Sequence, residues 1–389
     1  MINALEHALK RFYQFLARSL ALALWGAKDN REIDMSEVEH IGVFLAEKLG
    51  DLFVALPLVD KIRENYPAIT ITAITSLESK ALIANDPRFN HVETIPYRII
   101  PGIKAAFNIR KRNFDLLLDL NDSDSNTALV VSLCLSRGVA RIVGVGKKKF
   151  ARYYDRAYET LDGVHNLFSL AQVLAALGIE PKSVSRLAQP YLPECTLVLA
   201  KEFLADEDSG DTNQTLWIGL NLSAGDSMRI WPVESYRQTA AEIYSEYPCA
   251  RFLLFCVAND RYRAEELKRV CESQIKIIPQ GSSIQSACAF LSQMDLLITP
   301  DTSLTHMARS FDVPVVALCR DSEHFEYWKP LGQDEGAIKS KSSDGIASIQ
   351  WKEVSDVAIR LLKKSAKGSL GQALQKQTTT LVAEGDSHQ

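Results

Sequence analysis

Hydrophobic positions along the chain fall into two successive sets of short apolar runs, separated by stretches with helical spacing. In the first set, runs at 40–45, 69–74, 92–95, 114–120 and 141–145 read as strands. The stretches 51–65, 78–85, 101–112, 127–136 and 166–177 read as helices, the last closing at Gly178. In the second set, strands are expected at 216–220, 251–256, 275–278, 295–299 and 313–318, with helices at 233–246, 261–273, 284–293 and 304–311. Such alternation implies a parallel sheet with helices on both faces. Two sets in series imply two α/β domains, since 389 residues exceed one comfortable core.

The connection is placed at 181–193, which holds Pro181, Pro190 and Pro193 and little periodicity. The expected organisation is a helix and linker at 1–38, domains at 39–185 and 186–364, and a disordered Gln-, Thr-, Ser- and Gly-rich tail at 365–389. In the N-terminal segment, Ile2, Leu5, Leu9, Phe12, Leu16 and Leu20 recur at helical spacing, with Lys10, Arg11 and Arg18 among them and Trp25 beyond. Arg18 interrupts what would be the apolar centre of a cleaved signal. Two readings remain, a helix lying on an anionic membrane surface and one packed on the protein's own body.

Charge and cysteine usage narrow the function class. The net charge is −4, with no strongly basic block beyond Lys147, Lys148 and Lys149, which argues against nucleic acid as the main partner. Seven scattered cysteines form no metal-ligand or disulfide spacing, so reduced thiols in a cytoplasmic protein are expected. No apolar run reaches the ~20 residues of a membrane span.

Three segments carry residue types suited to chemistry. Strand 295–299 leads into Pro300, Asp301, Thr302 and Ser303, where Thr302 or Ser303 can cap a helix running through Leu304 and His306. The unpaired N–H groups of such a helix start favour phosphates, although an ordinary capped connection would read the same. The loop after strand 216–220 contains Ser223, Ala224 and Gly225, then Arg229, Trp231 and Pro232. Small residues there let backbone N–H groups approach a ligand, Arg229 suits a phosphate, and Pro232 fits the first position of the next helix. After the first strand come Lys48, Gly50 and Asp51, and a carboxylate at a strand end can take a proton from an attacking hydroxyl or merely cap the helix. No G-x-G-x-x-G follows this strand, which speaks against a nicotinamide dinucleotide fold.

Together these segments resemble the ADP-heptose:lipopolysaccharide heptosyltransferases, glycosyltransferase family 9. Residues 46–52 are similar to the family's "R-x-S-x-x-G-D-V", with Asp51 at its catalytic Asp. Residues 221–232 align with "H-P-G-A-x-x-x-x-K-R-W-P" through Ala224, Trp231 and Pro232, with Arg229 where the family has Lys. Residues 300–308 align with "N-D-T-G-x-x-H-L-A" through Asp301, Thr302, His306 and Ala308. The resemblance covers roughly 39–335. It departs at Asn221 and Leu222, which replace His-Pro, and at Ser303, which replaces glycine and loses backbone freedom. It departs again at Asn121, Asp122, Ser123 and Asp124, where a basic residue is common, pointing to a less anionic acceptor.

The resemblance implies a GT-B fold, two Rossmann-like parallel-sheet domains facing a cleft. It implies metal-independent inverting transfer of a heptose from ADP-heptose to a lipid-linked glycan such as the lipopolysaccharide core, without a cofactor. The work would be done in the cytoplasm, with peripheral contact to the inner membrane if the N-terminal helix lies on it. Asp51 would be the base and Arg229 would stabilise the departing diphosphate. Ser223, Ala224, Gly225, Arg229, Asp301, Thr302, Ser303, Leu304 and His306 would hold the donor, and Lys48, Gly50, Asn121, Asp122 and Ser123 the acceptor. No Asp-x-Asp stands at a donor-side strand end. The same residues also suit a non-catalytic sugar-nucleotide- or glycan-binding relative, or a GT-B transferase using another nucleotide sugar.

Overall fold

The structure, a computed structural model, describes residues 32–45, 48–96, 98–137, 140–205, 215–270, 274–320, 325–333, 336–341 and 345–364, together with Ser19. The expected N-terminal helix (Ser19 apart), Ala46 and Glu47 of the first motif, and the tail from 365 lie outside the described residues. The chain forms two compact units, Met1–Tyr191 and Leu192–Gln389.

In the first unit, strands β1 (His40–Leu45), β2 (Thr70–Thr75), β3 (His91–Thr94), β4 (Leu116–Asp119), β5 (Arg141–Val145) and β6 (Arg156–Tyr158) form one sheet in the order β3-β2-β1-β4-β5-β6. All its pairings are parallel. Helices α1 (Leu49–Asn65), α2 (Leu77–Ile83), α3 (Ile99–Ile109), α4 (Asn126–Ser136) and α5 (Asn166–Ala171) connect them. β4 is buried throughout, as a central strand covered on both faces must be. Phe44, Ile74, Leu117 and Ile142 of the sheet pack with Leu129, Val131 and Leu133 of α4. The end of the unit is tied down by hydrogen bonds. Arg88 donates to the Gln189 carbonyl at 2.8 Å, and the Asp86 carboxylate accepts the Tyr191 N–H at 3.4 Å.

The second unit contains β7 (Leu216–Asn221), β8 (Ala250–Phe255), β9 (Ile275–Ile277), β10 (Leu296–Pro300), β11 (Val315–Cys319) and β12 (Ala337–Lys339), in the order β12-β11-β10-β7-β8-β9. Its pairings are also parallel. Its helices are α6 (Glu194–Leu204), α7 (Val233–Glu246), α8 (Arg261–Val270), α9 (Ile284–Leu291), α10 (Ser303–Ser310), α11 (Phe325–Trp328) and α12 (Trp351–Lys364). Ile218, Leu220, Phe252, Ile298 and Val316 form its core with Tyr236 and Ile243 of α7 and Val354, Leu361 and Leu362 of α12. Counted from its own first strand, this sheet is wound in the same order as the other. In both, the order reverses beside the first strand, at β1/β4 and at β7/β10. Ligands of open α/β sheets bind outside the carboxyl ends of strands at such reversals.

Five elements stand outside the expected alternation, one of them the four-residue helix α11. β6 and β12 are three-residue edge strands too short to show a period. α6 follows Pro193 directly, and α12 covers the sheet with a stripe of Val354, Ala358, Leu361 and Leu362. The expected helix at 166–177 is α5 followed by a tighter 3₁₀ stretch, and it closes at Gly178 with φ 73°. Among the described residues, no helix is long and apolar enough to cross a membrane.

Candidate functional site

A cavity of about 570 Å³ opens in the second unit where β7, β8, β9 and β10 end, a volume that suits a small-molecule ligand. Its wall includes Ser223, Ala224 and Gly225 after β7, Cys256 and Val257 after β8, and Ile278 and Pro279 after β9. Thr302, Ser303 and Leu304 at the start of α10 complete it. Asn221 ties the two reversal strands together. Its amide donates to the hydroxyls of Thr299 at 2.9 Å and Thr302 at 3.2 Å, and its side-chain oxygen accepts the Ser223 N–H at 3.1 Å. The departure from His-Pro thus has a structural use, since Asn221 fixes the loops after β7 and β10. The Ser223 hydroxyl accepts the Val257 N–H at 3.0 Å and sets the β8 loop against the β7 loop.

Thr302 occupies the N-cap position of α10, but its hydroxyl does not cap the helix. It is taken by Asn221 and by Thr299 at 3.3 Å, so the expected capping bond from Thr302 is absent. Ser303 and Leu304 of that turn line the cavity, while the Thr305 N–H donates to the Thr302 carbonyl at 3.1 Å. Ser303 is the first helical residue, in a right-handed conformation that any residue adopts, so the replacement of glycine brings no strain. Pro232 likewise differs from expectation. It is the N-cap of α7, with Val233 as the first helical residue. Trp231 before it is buried, donates to the Ile349 carbonyl at 3.0 Å and stacks edge-on against Tyr236 at 4.7 Å.

Arg229, Asp301 and His306 stand beside the cavity wall. The Arg229 guanidinium donates to the Asp301 carbonyl at 2.8 Å, which sets a fixed positive charge at the start of α10, and its other end approaches Gly225. His306 is buried in the second turn of α10, edge-on to Trp328 at 5.5 Å. Burial pulls its pKa down from 6.5 to about 4, so the imidazole is neutral at pH 7. It can shape the helix and offer a neutral N–H, but it adds no positive charge toward a diphosphate.

In the first unit, Asp51 lies in the first turn of α1. Its Oδ2 accepts the Lys48 N–H at 2.9 Å, and its own N–H donates to the Lys48 carbonyl at 3.1 Å. Asp51 is half-buried, Lys48 exposed and Gly50 buried. Across the reversal, the Asn121 side chain turns inward and donates to Asp119 Oδ1 at 2.8 Å. The Asp122 carboxylate accepts from Asn166 at 2.7 Å, and Asp124 accepts the Lys149 N–H at 2.9 Å.

The sequence reading did not single out what holds this loop. Asp119, fully buried at the end of β4, accepts from the Tyr154 hydroxyl at 2.7 Å and from Ser132 at 3.0 Å. The buried Lys147 ammonium lies 3.3 Å from Asp119 and donates to the carbonyls of Asn121 and Ser123. A cation therefore does reach the acid-rich loop, from the strand next door. Gly146 makes the approach feasible. It has φ 68°, and a Cβ there would sit 2.4 Å from the Asp122 carbonyl. The signal in the sequence was Asp119 itself, a carboxylate inside an apolar strand, which demands a buried partner. Among the described residues, no three His, Cys, Asp or Glu side chains gather as a metal site.

Comparison with known proteins bears on the whole arrangement. Residues 103–348 match glycosyltransferase family 9 (heptosyltransferase). The lipopolysaccharide core heptosyltransferase OpsX of Haemophilus influenzae is 23% identical over 295 residues, 73% of this chain and 78% of that protein. Lipopolysaccharide heptosyltransferase 1 of Campylobacter coli is 21% identical over 294 residues, 72% of this chain and 83% of its own. Among solved structures, a glycosyl transferase family 9 protein from Veillonella parvula superposes with a TM-score of 0.72 at 20% identity, covering 86% of this chain and all (100%) of the other. E. coli heptosyltransferase WaaC, solved with ADP, superposes with a TM-score of 0.65 at 13% identity over 84% of this chain and 99% of its own. The two parallel sheets are those of a GT-B fold, and the chain belongs to glycosyltransferase family 9, as a glycosyltransferase of the heptosyltransferase type.

Proposed function

We propose that the protein transfers a heptose from ADP-heptose to the core of lipopolysaccharide or a related lipid-linked glycan, with inversion at the anomeric carbon and without a metal. The donor would occupy the cavity of the second unit, its diphosphate against Ser303 and Leu304 N–H and the Arg229 guanidinium. That pairing carries the reading. A helix start whose N-cap side chain is bonded elsewhere and a fixed arginine offer preorganised positive charge where the departing diphosphate gains negative charge. Apolar Val257, Ile278 and Pro279 would receive the base. Asp51 would take the proton from the acceptor hydroxyl as it attacks the anomeric carbon, with Lys48, Gly50, Asn121, Asp122 and Ser123 shaping the acceptor side. The names of the relatives support donor and acceptor alike, since they act in lipopolysaccharide synthesis and one was solved with ADP-2-deoxy-2-fluoro heptose. The reaction would run in the cytoplasm, with the N-terminal apolar stripe and its Lys10, Arg11 and Arg18 resting on the inner membrane.

Calorimetry with ADP, UDP and GDP, followed by turnover of ADP-heptose, tests the donor assignment. ADP should bind best, and Arg229→Ala should weaken it and slow transfer, while Arg229→Lys should be mild. Equal affinity and kcat in the Ala variant would reject the diphosphate contact. Preference for UDP or GDP would move the reading to another nucleotide sugar.

A further inference from the structure

Helix α3 and the turn after it form a stretch of one sign. Between Glu93 and Asp115 there is no acid, while Arg98, Lys104, Arg110, Lys111 and Arg112 supply five cations in a chain of net charge −4. The helix has two faces of opposite character. Gly102, Ala106 and Ile109 are buried, and a Cβ on Gly102 would come within 3.2 Å of Val131 on α4. On the outer face Ile100 is 64% exposed and Phe107 40% exposed. Lys104 and Lys111 share their stripe at helical spacing and are exposed, while Ile103 packs on the core. The Arg110 guanidinium lies over the Phe107 ring, 4.0 Å from its centre. Arg112 is held by Glu93 at 2.6 Å, whereas among the described residues Lys104 and Lys111 make no ion pair.

We propose that this face of the first unit docks on an anionic lipid bilayer. α3 would lie in the plane of the interface, Ile100 and Phe107 entering the acyl boundary and Lys104, Arg110 and Lys111 meeting the headgroups. Charge complementarity selects this occupant. An apolar stripe flanked by cations, with acids excluded for a whole helix and its borders, is the composition of an interfacial helix. α3 starts beyond the carboxyl end of β3, so its first turn lies on the sheet edge that also carries the β1 loop and Asp51. The contact is additional to any made by residues 1–27 and does not depend on which sugar nucleotide is used.

The test is flotation of the full-length protein with vesicles of phosphatidylcholine alone and of phosphatidylcholine mixed with phosphatidylglycerol. Binding is expected to the mixed vesicles only, and to weaken with added salt. Lys104→Gln/Lys111→Gln should reduce it about 30-fold, the effect of removing two cations from an anionic surface. Ile100→Ser/Phe107→Ser should weaken it to a similar extent, and both variants should keep the parent melting temperature because the altered side chains are exposed. Unchanged flotation of both variants would overturn the proposal and assign attachment to other residues. Unchanged flotation with weaker use of a soluble glycan acceptor would overturn it too, and would make the face an acceptor-anion site.

Discussion

The Asp51 carboxylate already accepts the Lys48 N–H, and the proposed mechanism asks it to take the acceptor proton as well. The two tasks separate by substitution. Asp51→Asn keeps an oxygen for Lys48 and loses the base, so turnover should fall about 10²–10⁴-fold with the melting temperature unchanged. Asp51→Ala should lose the same activity and about 1 kcal/mol of stability with the cap. Near-normal turnover of the Asn variant would leave Asp51 as a helix cap. His306 gives a second residue-scale test. The fold holds its pKa near 4 against 6.5 unfolded, so the unfolded chain takes the proton first. The neutral-imidazole contribution is full above pH 6.5, is lost as pH falls toward 4, and levels off below that. The stability difference between the wild type and His306→Gln should therefore shrink by ~3 kcal/mol from pH 7 to pH 4. Urea unfolding followed by tryptophan fluorescence reads it, because Trp217, Trp231, Trp328 and Trp351 all lie in the second unit. A difference constant with pH would exclude His306 as the source.

At the scale of elements, α10 works through its first turn. Ser303 is its first helical residue, and Thr302 before it is extended at φ −141° and ψ 175°, the conformation that a following proline requires. Ser303→Pro should thus preserve the helix and delete one N–H. ADP affinity should drop about 10-fold, as for one hydrogen bond to a charged group, with no change in melting temperature. Undiminished affinity would remove this N–H from the diphosphate contact. The central elements were legible because burial on both faces writes a continuous apolar run, as in Leu116, Leu117 and Leu118 or Leu297 and Ile298. β6 was not, since Arg156, Ala157 and Tyr158 pair only with β5 at a half-exposed edge. The motifs after β7 and β10 stood out because their residues are local in sequence. The Asp119–Lys147 pair did not, because it joins the ends of neighbouring strands, which only the sheet order brings together.

At the scale of the molecule, two sheets share one winding order while their strand ends carry opposite equipment. The reversal in the first unit presents the Asp51 turn and a loop pinned by Lys147. The reversal in the second presents Arg229 and the start of α10. A shared topology supplies the same kind of crevice twice, and the loops alone decide what each can hold. The division of labour predicts where a nucleotide is felt. Hydrogen exchange of the full chain with saturating ADP should slow most at 221–229, 255–258 and 278–284 and at the amides of Ser303 and Leu304. The loops 121–125 and 147–149 should change least, because their carbonyls and carboxylates are already bonded within the first unit. The strongest protection appearing there instead would place the nucleotide on the first unit and reverse the assignment of donor and acceptor.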